Sequence, residues 1–325
     1  MTALDRPEFQ PLPAPSGCRR LLFGPALPPP AVGRQIRLRD GRWLGYAEFG
    51  DPAGRPIFFF HGLPGSRLFR HPDDSIATSL GVRLIVPDRP GVGLSSFKPK
   101  RTLLDWPSDV RELAEALGLD RFAVAGVSGG GPFTAACAYQ LGPRLTAAGF
   151  VSSAGPMTAP EATAGMASRT RLSFQGASLG CLPWWTLYPS MVSVVRLARQ
   201  QPEKIWQRAL ESSPEPDRII LLRPEVKAIF LESLPETYRQ GPRGHIDDAL
   251  LIAREWDFPL QDISVPTFLW HGTADVHASP AMGHYLAETI PHCQATFIPG
   301  AGHLLMFRAD FWHGMLTTLI SATPS

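Results

Sequence analysis

The stretch AGVSGGGPF, residues 125–133, sets Ser128 between glycines directly behind an apolar run, and GASLG, residues 176–180, repeats the G-x-S-x-G spacing around Ser178. A serine hydroxyl attacks a carbonyl only when a base takes its proton and a rigid turn presents it, so the context of each match decides between them. FAVAGV (122–127) supplies a strand before Ser128, Gly126 and Gly130 remove the Cβ atoms that would crowd a sharp turn, and Pro132 suits the first turn of a helix. In that setting the N–H of Gly129, with the positive end of the helix, points toward an oxyanion forming beside Ser128. Ser178 follows RLSFQGA and precedes CLPWW, with no strand run ahead and Pro183 too soon for a long helix, and it reads as a polar residue in a loop.

Activating a serine needs an imidazole to move the proton and a carboxylate to fix its tautomer, and the chain offers nine histidines for that role. Other chemistries find less support. GVGLSS (91–96) lacks the lysine and spacing of a phosphate loop, and no H-E-x-x-H or clustered His and carboxylate set suggests a metal. Nothing in the sequence calls for a cofactor.

These groups must be held by a soluble globular scaffold, as 44% apolar and 18% charged residues imply. With 31 basic and 29 acidic residues and no long basic block, there is no electrostatic reason for a nucleic-acid or membrane partner, and a small molecule is the expected ligand of a monomer or homodimer. Cys18, Cys137, Cys181 and Cys293 are widely spaced and read as unpaired thiols. Asp5, Arg6 and Glu8 interrupt any signal-peptide core, and no apolar run is long enough to span a bilayer, so a cytoplasmic location is expected.

Prolines at 7, 11, 13, 15, 25 and 28–30 make residues 1–33 an expected extended arm. QIRLRDGRWLGYAEFG (35–50) alternates around Asp40-Gly41 as a hairpin does. Continuous apolar runs follow at 57–61, 82–88, 122–127, 147–153 and 267–272, which suits strands covered on both faces. Helical stretches at 103–119, 131–142 and 280–290 lie between them, so right-handed βαβ units in an open α/β sheet are predicted. From Thr158 to Asp262 the rhythm breaks into mainly helical patterning rich in large side chains, too long for a connection and therefore an insertion.

FFFHGLPGSR (58–67), DRPGVGLSS (88–96), GVSGGGP (126–132), LWHGTAD (269–275) and PGAGH (299–303), in this order, resemble the α/β-hydrolase superfamily, in its branch with a helical cap inserted late in the sheet. The resemblance implies an eight-stranded, mostly parallel sheet flanked by helices. It divides the chain into a core of 34–157 and 263–325 around a cap of 158–262, behind the arm of 1–33. It also implies a catalytic Ser128, His303 as its base in the PGAGH loop, and Asp275 as the acid after TFLWHG, since SSAGPM after the preceding strand holds no carboxylate. His277 then reads as a loop neighbour. The resemblance further implies the backbone N–H of Leu63 as the second oxyanion donor, with His61 and Gly62 shaping the turn and Gly65 letting it double back; DRPGVGLSS reads as a structural turn.

A serine at 128, where dehalogenases and epoxide hydrolases of this fold use a carboxylate, points instead to cleavage of an ester, thioester or amide. The aromatic content of the insertion, with Trp184, Trp185 and Trp206 as candidate pocket residues, suits a moderately apolar substrate. A lyase, acyltransferase or cyclase on the same residues, or a ligand receptor with little turnover, are the competing readings, because fold alone does not fix function.

Overall fold

Ile57 and Phe59 are buried on one side of the sheet and Phe58 and Phe60 on the other, the two-residue alternation of a strand whose faces are both covered. The computed structural model describes residues 22–23, 27–28, 31–178 and 184–322. Its strands are β1 (Arg34–Arg37), β2 (Trp43–Gly50), β3 (Arg55–Phe60), β4 (Val82–Pro87), β5 (Phe122–Val127), β6 (Leu145–Val151), β7 (Thr267–Gly272) and β8 (Gln294–Ile298). They form one sheet in the order β1-β2-β4-β3-β5-β6-β7-β8. β2 is antiparallel to both of its neighbours, and every later pairing is parallel.

Helices α1 (Asp74–Ser79), α2 (Trp106–Ala116) and α3 (Gly131–Gln140) lie between strands of the first half. Trp106, Val110 and Leu113 of α2 and Phe133 of α3 pack on the face of Phe58 and Phe60, whereas Ala77 of α1 packs on the opposite face. The short α1 has no apolar period to betray it and was not expected; Asp73 starts it by accepting the Ser75 N–H at 3.0 Å. Predicted ends moved by a few residues for local reasons. The 103–119 stretch opens as a 3₁₀ turn at Leu103–Asp105 and its helix stops at Ala116, ahead of the left-handed Gly118.

Between β6 and β7 the described residues form six helices: α4 (Ser168–Ser178), α5 (Trp184–Gln200), α6 (Pro202–Ser212), α7 (Glu215–Leu221), α8 (Pro224–Thr237) and α9 (Arg243–Ala253). After β7 come α10 (Pro280–Thr289) and, beyond β8, α11 (Ala309–Ser321), whose Trp312 and Met315 cover the Phe59 face.

Two expectations are corrected. Ser178 is the last residue of the eleven-residue helix α4, not part of a loop, because the run from Ser168 carries no proline and a single glycine, Gly176, is tolerated within a helix. In the arm, Leu22 and Phe23 are helical rather than extended, and Phe23 is buried against Val195, Ala198, Leu234 and Tyr238. Arm carbonyls are caught by arginines: Arg196 donates to Leu22, Arg239 to Pro28 and Arg67 to Val32. The rest of the expected extended arm, residues 1–21, 24–26 and 29–30, lies outside the described residues.

Candidate active site

β5 turns into α3 at Ser128, whose φ of +54° is rare for a residue with a side chain and marks local strain of the kind found at functional sites. The turn is possible because its flanking glycines leave room. A Cβ on Gly126 would strike Thr134 Oγ1 and the Gly130 carbonyl, and one on Gly130 would strike the carbonyl oxygen of Phe60 in the adjacent β3. Ser128 is left half-buried at the floor of a cavity.

β7 and β8 are neighbouring parallel strands, so the loops at their C-terminal ends leave the sheet side by side. Gly272 closes β7 against the carbonyls of Ala301 and Gly302, an approach that a side chain would block. Asp275 and His303 lie on these two loops. Asp275 Oδ1 accepts the backbone N–H groups of His277 at 2.8 Å and Ala278 at 2.9 Å, and Oδ2 takes the Nδ1–H of His303 at 2.7 Å. His303 Nε2 then lies 3.0 Å from Ser128 Oγ. With Nδ1 fixed as the donor, the Nε2 lone pair faces the serine hydroxyl.

Burial disfavours the charged form of His303, but the charge and hydrogen bond of Asp275, joined by the charge of Asp217, outweigh it and hold the imidazole above its ordinary pKa. Burial pushes Asp275 up; the charge and hydrogen bond of His303, with His271 and the His277 N–H, bring it below the usual carboxylate range. His277 sits with its ring 5.2 Å from that of His303, and burial followed by the His303 charge lowers its pKa.

The loop after β3 brings Gly62 and Leu63 to the same floor. An ideal Cβ on Gly129 would lie 3.4 Å from the Leu63 nitrogen, and one on Gly62 would lie 3.8 Å from Ser128 Oγ. Gly65 turns back against Gly62 O and the His61 ring, and the His61 Nδ1 lies 3.0 Å from Gly62 O. Arg89 holds this loop from beneath by donating to the His61 carbonyl at 2.5 Å and the Gly62 carbonyl at 2.9 Å. Its charge is met by Asp248 of α9 at 2.7 Å, which also accepts from Arg101 at 2.5 Å, and Arg89 and Asp248 are both fully buried. The sequence reading took DRPGVGLSS as a structural turn; Arg89 within it is nonetheless what fixes the two carbonyls beside Ser128. Its position just past the C-terminal end of β4 was the available signal, since open α/β sheets place their sites there.

The cavity has a volume of about 590 Å³ and is walled by apolar side chains such as Val127, Met191, Phe230 and Leu234. Trp206 lines it. Trp184 and Trp185 open α5, and their side chains fall outside the described residues. Sequence reasoning missed the polar groups that the insertion adds: Tyr238, His245 and Asp217 all reach the cavity. Tyr238 Oη and His245 Nδ1 are 3.4 Å apart, and burial lowers the pKa of His245 to about 4. Among the described residues no cluster of three or more His, Cys, Asp or Glu is arranged to hold a metal.

A sheet of this topology, with a turn-borne serine, a histidine and an aspartate converging at the carboxyl ends of its strands, defines a class. The chain belongs to the alpha/beta hydrolase family, whose profile it matches over residues 57–312. It is similar to the proline iminopeptidase of Xylella fastidiosa strain 9a5c, 34% identical over 117 residues, 33% of this chain and 34% of the relative. It thus spans about a third of the length of that relative. It is also similar to Lipase 1 of Psychrobacter immobilis, 25% identical across 85% of this chain and 80% of the lipase. Among solved structures, a thermophilic esterase from Thermogutta terrifontis superposes with a TM-score of 0.63 over 91% of this chain and all of the esterase; at 23% identity, that likeness speaks for the fold.

Proposed function

We propose that this protein is a serine hydrolase that cleaves a carboxylic ester of a moderately apolar small molecule through an acyl-enzyme on Ser128. One observation carries the reading: the continuous chain Asp275 Oδ2, His303 Nδ1, His303 Nε2 and Ser128 Oγ, with separations of 2.7 and 3.0 Å across its two gaps. In the first half-reaction His303 takes the hydroxyl proton as Oγ bonds to the ester carbon. The N–H groups of Leu63 and Gly129 stabilise the tetrahedral oxyanion, held in place by a loop whose carbonyls Arg89 engages. His303 then gives the proton to the departing alcohol. Water attacks the acyl group by the same route in reverse, and no cofactor enters. Asp275 stays ionised and orients the ring throughout.

The largely apolar cavity favours an apolar acyl or alcohol part. For a substrate carrying an ammonium group it offers Asp217, and both oxygens of that carboxylate already accept backbone N–H groups. The helical insertion serves as its lid. Unpaired Cys137 and Cys293 suit a reducing, cytoplasmic setting.

The test is a fluorophosphonate probe on the purified protein, followed by mapping of the adduct in wild type, Ser128→Ala and Ser178→Ala. Labelling at Ser128 that disappears only in Ser128→Ala, with turnover of p-nitrophenyl esters, supports the proposal. Labelling that survives Ser128→Ala refutes it, and labelling without turnover across short and long acyl chains favours a lyase or receptor.

A further inference from the structure

Asp217 lies in the first turn of α7, on the insertion, and is 1% exposed. Among the described residues it forms no ion pair, unlike the buried Asp88 and Asp248, which face arginines. Both of its oxygens go to the loop that carries the base: Oδ2 accepts the N–H of His303 at 3.1 Å and Oδ1 that of Leu304 at 2.9 Å. The fit leaves no room at Gly302, where an added Cβ would collide with the carboxylate. Burying a carboxylate without a cation is costly, and a stable fold has cheaper ways to satisfy two amides, such as a serine or asparagine side chain. What a carboxylate adds is charge, and the ionisable group best placed to respond is the imidazole of the same loop.

We infer that Asp217 is a positioning residue for His303: docking of the insertion fixes the base loop through two backbone amides and places a second negative charge beside the imidazole, so that the reactive centre is complete only when the insertion is seated. The charge of Asp217 acts on His303 in the same direction as that of Asp275. The loop N–H bonds set where Nε2 lies relative to Ser128, and misplacement of a catalytic group by a fraction of an ångström is enough to slow a reaction. The inference rests on the serine-hydrolase reading and adds to it a link between the insertion and the base.

The groups facing the His303 ring are Ser128 at the turn after β5, His271 at the end of β7, Asp275 and His277 on the next loop, and Asp217 on α7. Only the last is changed in the test, which measures kcat and KM of p-nitrophenyl butyrate between pH 5 and 9 for wild type, Asp217→Asn and Gly302→Ala. Asp217→Asn keeps the size and one acceptor oxygen while removing the charge. It should move the acid limb of kcat/KM to lower pH and cut kcat about tenfold, as expected for loss of a charged hydrogen bond, with KM nearly unchanged. Gly302→Ala should displace the carboxylate and shift the acid limb the same way. A titration of His303 followed by NMR reads the same shift without turnover, so a slow variant remains informative.

An unshifted acid limb and imidazole titration in Asp217→Asn, with kcat within about twofold of wild type, overturns the inference and leaves Asp217 a structural staple. Wild type that labels at Ser128 and turns over keeps the hydrolase reading intact in that event. Wild type that does neither brings down both.

Discussion

In the sheet, Phe58, Phe59 and Phe60 are wholly buried and hold their neighbours by contact area alone, which has magnitude but little direction. Where the helical insertion meets the core, apolar contacts such as Phe69 against Phe230 are joined by buried carboxylates. Asp217 accepts from the His303 loop, Glu236 from Arg67, and Asp248 from Arg89, which grips the loop of Gly62. Hydrogen bonds to ions are directional and fail abruptly when a partner is lost. The apolar sheet therefore contributes contact area, and the ionic contacts contribute the register of the loops that carry Gly62 and His303.

The largest effect should come from the relay itself. Asp275→Asn is expected to lower turnover by about 10⁴, by analogy with serine proteases, while thermal unfolding changes far less; near-normal kcat would remove Asp275 from the site. Next, Phe59→Ala, which empties a site packed against Trp312, should cost about 3–5 kcal/mol in denaturant unfolding. The rate of fluorophosphonate labelling per folded molecule should stay as in wild type, and a parallel fall would abolish the distinction between the two regions.

Asp248→Asn leaves Arg89 and Arg101 buried without their shared carboxylate and should cost about 3 kcal/mol. The triple change Arg89→Met, Arg101→Met, Asp248→Leu is the sharper measurement. Apolar replacements of similar volume should recover most of the stability, whereas turnover should remain down by about ten- to a hundredfold because the His61 and Gly62 carbonyls have lost their donor. Recovery of both would mean that these ionic contacts serve folding only.

The smallest effect concerns pH. Raised above its ordinary value, His303 becomes the neutral base only as pH climbs through that raised value, so kcat/KM should rise with a midpoint above about 6.5. Stability runs the other way. The contribution of His303 is fully present below about 6.5 and is lost as pH rises through the folded value. His61, His71, His245, His271 and His277 are depressed and act with the opposite sign, so the quantity to measure is the Tm difference between wild type and His303→Gln across this range.

The same division governs how much the sequence reveals. Strands such as β5 are legible because both of their faces are buried and the whole run is apolar. Ser128 is legible because strand, turn and helix each leave a local trace. Asp275 and His303 were reached through the order of motifs, since nothing local distinguishes them from other loop residues. Arg89 was half visible at the end of a strand. Asp217 and Asp248 were not visible at all: an acidic residue on an amphipathic helix reads as solvent-facing, and only the tertiary arrangement reveals a partner dozens of residues away. Phe23 was hidden for a related reason, because composition averages over an arm and cannot show one anchored side chain.

That anchored arm also bears on the order of assembly. The bonds of Leu22 to Arg196 and of Pro28 to Arg239 span 174 and 211 residues, so these early residues have no docking place until α5 and the turn that follows α8 exist. Contacts of such separation form late, after the entropy of closing a long loop has been met by other elements. The arm is thus synthesised ahead of the sheet and fastened after it, like a tie drawn across finished work. A folding experiment that follows Phe23 burial should see it lag behind the burial of the sheet.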